Sequence, residues 1–100
     1  PTAVFAFNDL AAVEVAKEIR NLGYGIPGDV AVIGFDNLEE VISSQPQPLS
    51  SIDQDFFKIG YTAASLLYDV MKENDGDIHI RKIPVKVVAR ASTQEKAPEA

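Results

Sequence analysis

Residues 31–37, AVIGFDN, constrain the fold more than any other stretch of the chain. An apolar run meets a glycine and an aromatic, then an acid and an amide. A buried parallel strand looks like this where it surfaces at its carboxyl end. Ligands bind at that end in open α/β sheets, so Asp36 is the first candidate for a binding residue.

A second apolar run lies upstream. Residues 2–7, TAVFAF, read as a buried strand closed by the polar pair Asn8 and Asp9. From Leu10 the period becomes helical. Leu10, Ala12, Val13, Ala16, Ile19 and Leu22 fall on or near one face, while Glu14, Lys17, Glu18 and Arg20 face away. Asn8 or Asp9 is placed to cap the first turn, and Gly23 to end the helix in the left-handed conformation. Strand, helix, strand makes a right-handed βαβ unit with parallel strands. Asn8 and Asp36 then both point into the crevice at the top of the sheet.

The remaining elements are shorter or looser. Residues 38–44 have the period of a short helix, broken at 45–48, and residues 49–52 are briefly extended. A longer helix follows, with Asp53 or Asp55 as cap and Ile59, Ala63, Leu66, Leu67, Val70 and Met71 as its buried stripe. Residues 74–77, NDGD, read as a turn and residues 78–83 as a half-exposed strand. After Pro84, residues 85–91 form a last strand near an edge.

Composition narrows the chemistry. One hundred residues, 46% of them hydrophobic, suffice for one core. A chain that opens at Pro1 and runs almost at once into a strand is expected to be a segment of something longer. A formal charge of −6 has the wrong sign for gripping phosphates. The lack of cysteine removes disulfides and thiolate chemistry, and fits a reducing, cytoplasmic setting. No run is long enough for a membrane span.

Neither catalysis nor metal binding has a sequence pattern to rest on. His79, the single histidine, lies in IHIRKI and reads as a solvent-facing strand residue. The pairs Ser43 with Ser44 and Ser50 with Ser51 lack a nucleophile elbow and read as caps or loop residues. The acid pairs Glu39 with Glu40 and Asp53 with Asp55 have no accompanying histidine spacing. No G-x-G-x-x-G follows a strand. The expectation is a binding protein with no catalytic residue, metal or cofactor.

Binding has better material. Asn8 and Gln54 bring amides, Asp36 a carboxylate that accepts from two hydroxyls, and Phe7, Phe35, Phe56 and Phe57 an apolar wall. Such a set suits a neutral polyhydroxylated ligand. The plainer reading makes Asn8 a cap, Asp36 the start of a turn and the phenylalanines core. Residue types alone leave the two readings level, because caps and crevice ligands occupy the same positions.

Residues 1–37, PTAVFAFNDLAAVEVAKEIRNLGYGIPGDVAVIGFDN, followed by PLSSIDQDFFKIG and the closing VVARAST, resemble the lactose-repressor and galactose-repressor family of bacterial transcription regulators. The resemblance runs from Pro1 to about Thr93 and covers the carboxyl-terminal part of that family's effector-binding core. It implies a periplasmic-binding-protein-like α/β fold whose parallel-sheet, Rossmann-like lobe is incomplete in this chain. By the same resemblance, residues 1–48 and 78–93 belong to the carboxyl-terminal lobe. Residues 49–77 form a crossover and a helix of the amino-terminal lobe, and 94–100 a polar tail.

The resemblance also assigns roles. Asn8 of FND and Asp36 of GFDN match positions that hydrogen-bond a small effector, typically a sugar, and Gln54 and Phe56 of IDQDF match positions near the other side of the crevice. Phe7 stands where the family often has a small residue, which implies a smaller pocket. A homodimer is implied, with Val13, Val41 and Ile42 at its interface. DNA contact falls to a helix-turn-helix that this chain does not contain. A periplasmic-type sugar- or solute-binding protein is the alternative with the same crevice, and an α/β enzyme with its site on other residues ranks third.

Overall fold

The computed structural model describes residues 1–73 and 76–94. The chain divides into two compact units. The first holds Pro1–Asp53 and the segment from Lys86 onward, the second Gln54–Val85. The expected turn at 74–77 falls partly, and the expected tail at 94–100 mostly, outside the described residues.

In the first unit, β1 (Ala3–Phe5) leads to α1 (Asp9–Asn21), and β2 (Ala31–Ile33) returns beside it. The two strands are parallel, with Ala3 opposite Ala31, Val4 opposite Val32 and Phe5 opposite Ile33. This is the βαβ unit that the change of period predicted. Helix α1 starts where Asn8 Oδ1 accepts the Ala11 N–H at 2.8 Å. It stops at Gly23, whose φ of +88° lets its N–H reach the Arg20 carbonyl while the Tyr24 N–H reaches Ile19, the paired bonds of a Schellman turn.

Beyond β2 the short helix α2 (Glu39–Ser43) precedes β3 (Ser51–Asp53), which pairs antiparallel with β4 (Lys86–Val88). The path beyond β2 runs beside the β3 segment: Ile33 bridges Ser50 in parallel, and the Gly34 and Asp36 N–H groups donate to the Ser50 and Ile52 carbonyls, both at 2.9 Å. The core is Ala6, Ala12, Ala16, Ile26, Val32, Ile42 and Leu49. Its alanines bring α1 close to the sheet. Gly34 completes that approach, since a Cβ there would lie 3.1 Å from the Asp9 Cα and 3.2 Å from the Ala12 Cβ.

Several expectations need correcting. The run 2–7 is not buried along its length, for Phe5 is 64% and Phe7 85% exposed. On α1 it is the alanines, with Asp9, that are buried, while Leu10 and Leu22 are exposed. The close helix–sheet approach leaves room for methyl groups and not for leucines.

The second unit contains α3 (Phe56–Glu73), whose first turn is capped by Asp55, with Oδ1 accepting the Lys58 N–H at 3.1 Å. None of the described residues of Gln54–Val85 is buried. Ile59, Ala63, Leu67 and Met71, expected in the buried stripe, are exposed, while Leu66 and Val70 are half-buried. Residues 78–83 form no strand, and His79 is half-buried, not solvent-facing.

Candidate functional site

Asn8 and Asp36 each follow the carboxyl end of a parallel strand, β1 and β2, by three residues. Beyond the strand ends the Ala6 N–H donates to Ile33 O at 2.8 Å, in the same register, and the Asp9 N–H to Phe35 O at 3.0 Å, one residue out of it. Two half-buried polar residues thus lie just past the carboxyl end of the parallel pair. Asn8 spends only its carbonyl oxygen on the helix cap, which leaves the two N–H donors of its amide outside that bond.

The turn that carries Asp36 is unusual backbone. Asp36 has φ of +106° and Asn37 of +58°, a region L-residues rarely adopt. All three N–H groups of this turn are held from neighbouring elements. Asp36 N–H donates to Ile52 O at 2.9 Å, Asn37 N–H to Ser51 Oγ at 2.9 Å and Leu38 N–H to Asp9 Oδ2 at 2.6 Å. The Ser51 hydroxyl then donates to Asp9 Oδ1 at 2.6 Å. Asp9 is fully buried and uses both oxygens to join the start of α1 to this turn and to β3.

A second group of polar contacts lies beside it. Arg90 Nη2 donates to Asn37 Oδ1 at 2.7 Å and Nη1 to Leu49 O at 2.8 Å. The Ser92 hydroxyl donates to Val32 O at 2.6 Å and accepts the Ser50 N–H at 2.7 Å. Ser50 and Ser51 are fully buried, which corrects their assignment as caps or loop residues. Ser44 does behave as a local cap, its Oγ donating to Val41 O at 2.6 Å.

The other expected site residues fall elsewhere. Gln54 opens the second unit half-buried, and Phe56, 52% exposed, begins α3. Val13 and Val41 are half-buried, whereas Ile42 is 6% exposed and belongs to the core. Val13 also lines a cavity of about 360 Å³ with Lys17, Arg20 and Gln45. Among the described residues, no cluster of three or more His, Asp or Glu side chains is arranged to hold a metal ion. None of their helices is long and apolar enough to cross a membrane.

Residues 1–93 match the family described as periplasmic binding protein-like domain. The chain belongs to this family. Within the periplasmic-binding-protein-like family its relatives are regulators, as the motifs implied. It is 34% identical over 96 residues to an HTH-type transcriptional repressor PurR of Aliivibrio fischeri, which covers 96% of this chain and 28% of that protein. Its structure is similar to that of the lac repressor dimer bound to operator and the anti-inducer ONPF, with a TM-score of 0.84 and 29% identity over 95% of this chain and 28% of that one. It is also similar to a LacI family transcriptional regulator from Enterococcus faecium with bound ribose, with a TM-score of 0.78 and 33% identity over 92% of this chain and 34% of that one. The chain therefore spans only about 28% of the length of the curated relative it matches. The resemblance to the effector-binding core of lactose-repressor-type regulators holds in both sequence and structure.

Sequence reasoning missed the residues that hold the site. Asp9 read as a helix cap, Ser51 as loop, and Arg90 and Asn37 only as letters of a motif. Their contacts bridge 42 residues for Ser51 to Asp9 and 53 for Arg90 to Asn37. The one local signal was serines in or beside apolar extended segments, at Ser50, Ser51 and Ser92.

Proposed function

We propose that this chain forms part of the effector-binding domain of a bacterial transcriptional repressor, and that Asn8 and Asp36 hydrogen-bond a neutral, hydroxyl-rich effector of the sugar class. The reading is carried by the position of both residues just past the carboxyl ends of the parallel strands β1 and β2. It is supported by the ribose bound in the Enterococcus faecium relative. A carboxylate and an amide together serve hydroxyls, which both donate and accept. Gln54 and Phe56 are assigned to the same effector through the resemblance of IDQDF. The repressor relatives favour regulation over solute transport and over catalysis.

An effector that binds one arrangement of the protein better than another shifts their populations, and so changes operator affinity. DNA contact is assigned to a helix-turn-helix outside these residues, in keeping with their charge of −6. The protein acts as a homodimer in the cytoplasm.

Isothermal titration of the full-length protein with ribose and a panel of neutral mono- and disaccharides tests the effector reading. Loss of a charged hydrogen-bond acceptor in Asp36→Ala is expected to weaken binding by roughly tenfold to a hundredfold. Unchanged affinity removes Asp36 from the site.

A further inference from the structure

We propose that Arg90 and Asn37 are positioning residues for Asp36, tying the effector-facing end of β2 to the two strands by which the chain leaves and re-enters its first unit. The inference rests on the reading of Asp36 as an effector ligand.

Two consecutive left-handed residues do not hold themselves. Asp36 and Asn37 have φ of +106° and +58°, and the side chain that fixes the second lies far away in sequence. The Arg90 guanidinium is a planar fork with donors only. One arm reaches Asn37 Oδ1 at 2.7 Å and the other the Leu49 carbonyl at 2.8 Å. An arginine accepts nothing, so the Asn37 amide must present its oxygen to Arg90. Its Nδ2 is thereby turned to Asp53 Oδ2, 3.4 Å away. Asn37 is held between a fixed cation and a carboxylate, in the one orientation that satisfies both.

The location gives this arrangement its consequence. Asp53 is the last residue of the first unit before the chain passes into Gln54–Val85, and its strand partner Lys86 is the first residue after the return. Arg90 follows β4 closely and grips the carbonyl of Leu49 just before β3. A displacement of Asp36 by a bound effector is therefore transmitted through Asn37 to Asp53 on β3 and to Arg90 beyond β4. Movement of those strands reaches Asp36 by the same route.

The test uses the full-length protein and four variants, Arg90→Ala, Arg90→Lys, Asp36→Ala and Gly23→Ala. Gly23→Ala strains the far end of α1, where φ is +88°, and serves as a destabilised control remote from the network. Amide hydrogen exchange at residues 36–38 and titration with ribose and cellobiose are measured well below every melting temperature. In Arg90→Ala, exchange at 36–38 is expected to quicken and sugar affinity to fall by roughly tenfold each, with exchange at Val32 unchanged. Arg90→Lys, which keeps the charge but reaches one acceptor, is expected to fall between. Gly23→Ala is expected to lower the melting temperature with neither change. Unchanged exchange at 36–38 in Arg90→Ala overturns the proposal, as does an equal loss of affinity in Gly23→Ala. A loss of binding in Asp36→Ala but not in Arg90→Ala overturns it while leaving the effector reading intact. Full binding by Asp36→Ala overturns the effector reading and this inference with it.

Discussion

Asn8 caps α1 and is proposed to bind the effector, and the two roles would use different atoms. The cap needs only an oxygen that accepts the Ala11 N–H, whereas a ligand hydroxyl also needs the amide donors. Asn8→Ser keeps an acceptor at the cap and removes the amide. It should melt close to the wild type and lose sugar affinity. Asn8→Ala should lose the affinity and also about 1 kcal/mol of stability. Thermal unfolding alongside titration separates the two, and a serine variant that binds sugar as tightly as the wild type would show that the residue is a cap and nothing more. Gly34 and Asp9 have no such division. The glycine admits the start of α1, and the buried carboxylate uses both oxygens to hold what the glycine has admitted.

Among the elements, those whose partners are close in sequence were legible. The passage from an apolar run to a helical period and back gave β1, α1 and β2 in the right order and orientation, because each boundary is written locally at Asn8, Gly23 and Gly34. The candidate site was half legible in its placement: Asn8 and Asp36 stand past strand ends, as read, while Arg90 acts on Asn37 from 53 residues away. The stripe on α3 was misread in part because periodicity shows that a face is apolar, not what covers it. Phe57, Tyr61, Leu67, Tyr68 and Met71 are all exposed, and no described residue of Gln54–Val85 is buried. An element with so few buried contacts opens at little cost. In the 100-residue chain alone, α3 amides should therefore exchange much faster than those of Ala12 and Ala16 on α1, and in a protein as long as its relatives they should become protected. Equal protection of the two helices in the isolated chain would mean that α3 needs no further cover.

At the scale of the whole molecule, the α1–α2 face offers a reason for two copies to meet. Val13 is half-buried beside a cavity of about 360 Å³ that Lys17 and Arg20 also line. Arg20 Nη2 is buried and has no hydrogen-bond partner among the described residues, a condition that costs stability. The same two helices expose Glu14, Glu18, Glu39 and Glu40. In a two-fold dimer the surface is its own partner, so a helix pair that displays acids beside the exposed Lys17 supplies both halves of the contact. The relative solved as a repressor dimer on its operator fits this expectation. Placing a charge at the apolar centre, as in Val13→Glu, should raise the dimer dissociation constant by roughly a hundredfold, the cost of an uncompensated charge in a closed contact. Sedimentation equilibrium of the full-length protein over a range of concentrations reads that change directly. Circular dichroism must remain unaltered in the variant, because Val13 also packs against the core. A folded Val13→Glu protein that sediments as the wild type does would move the interface off this face.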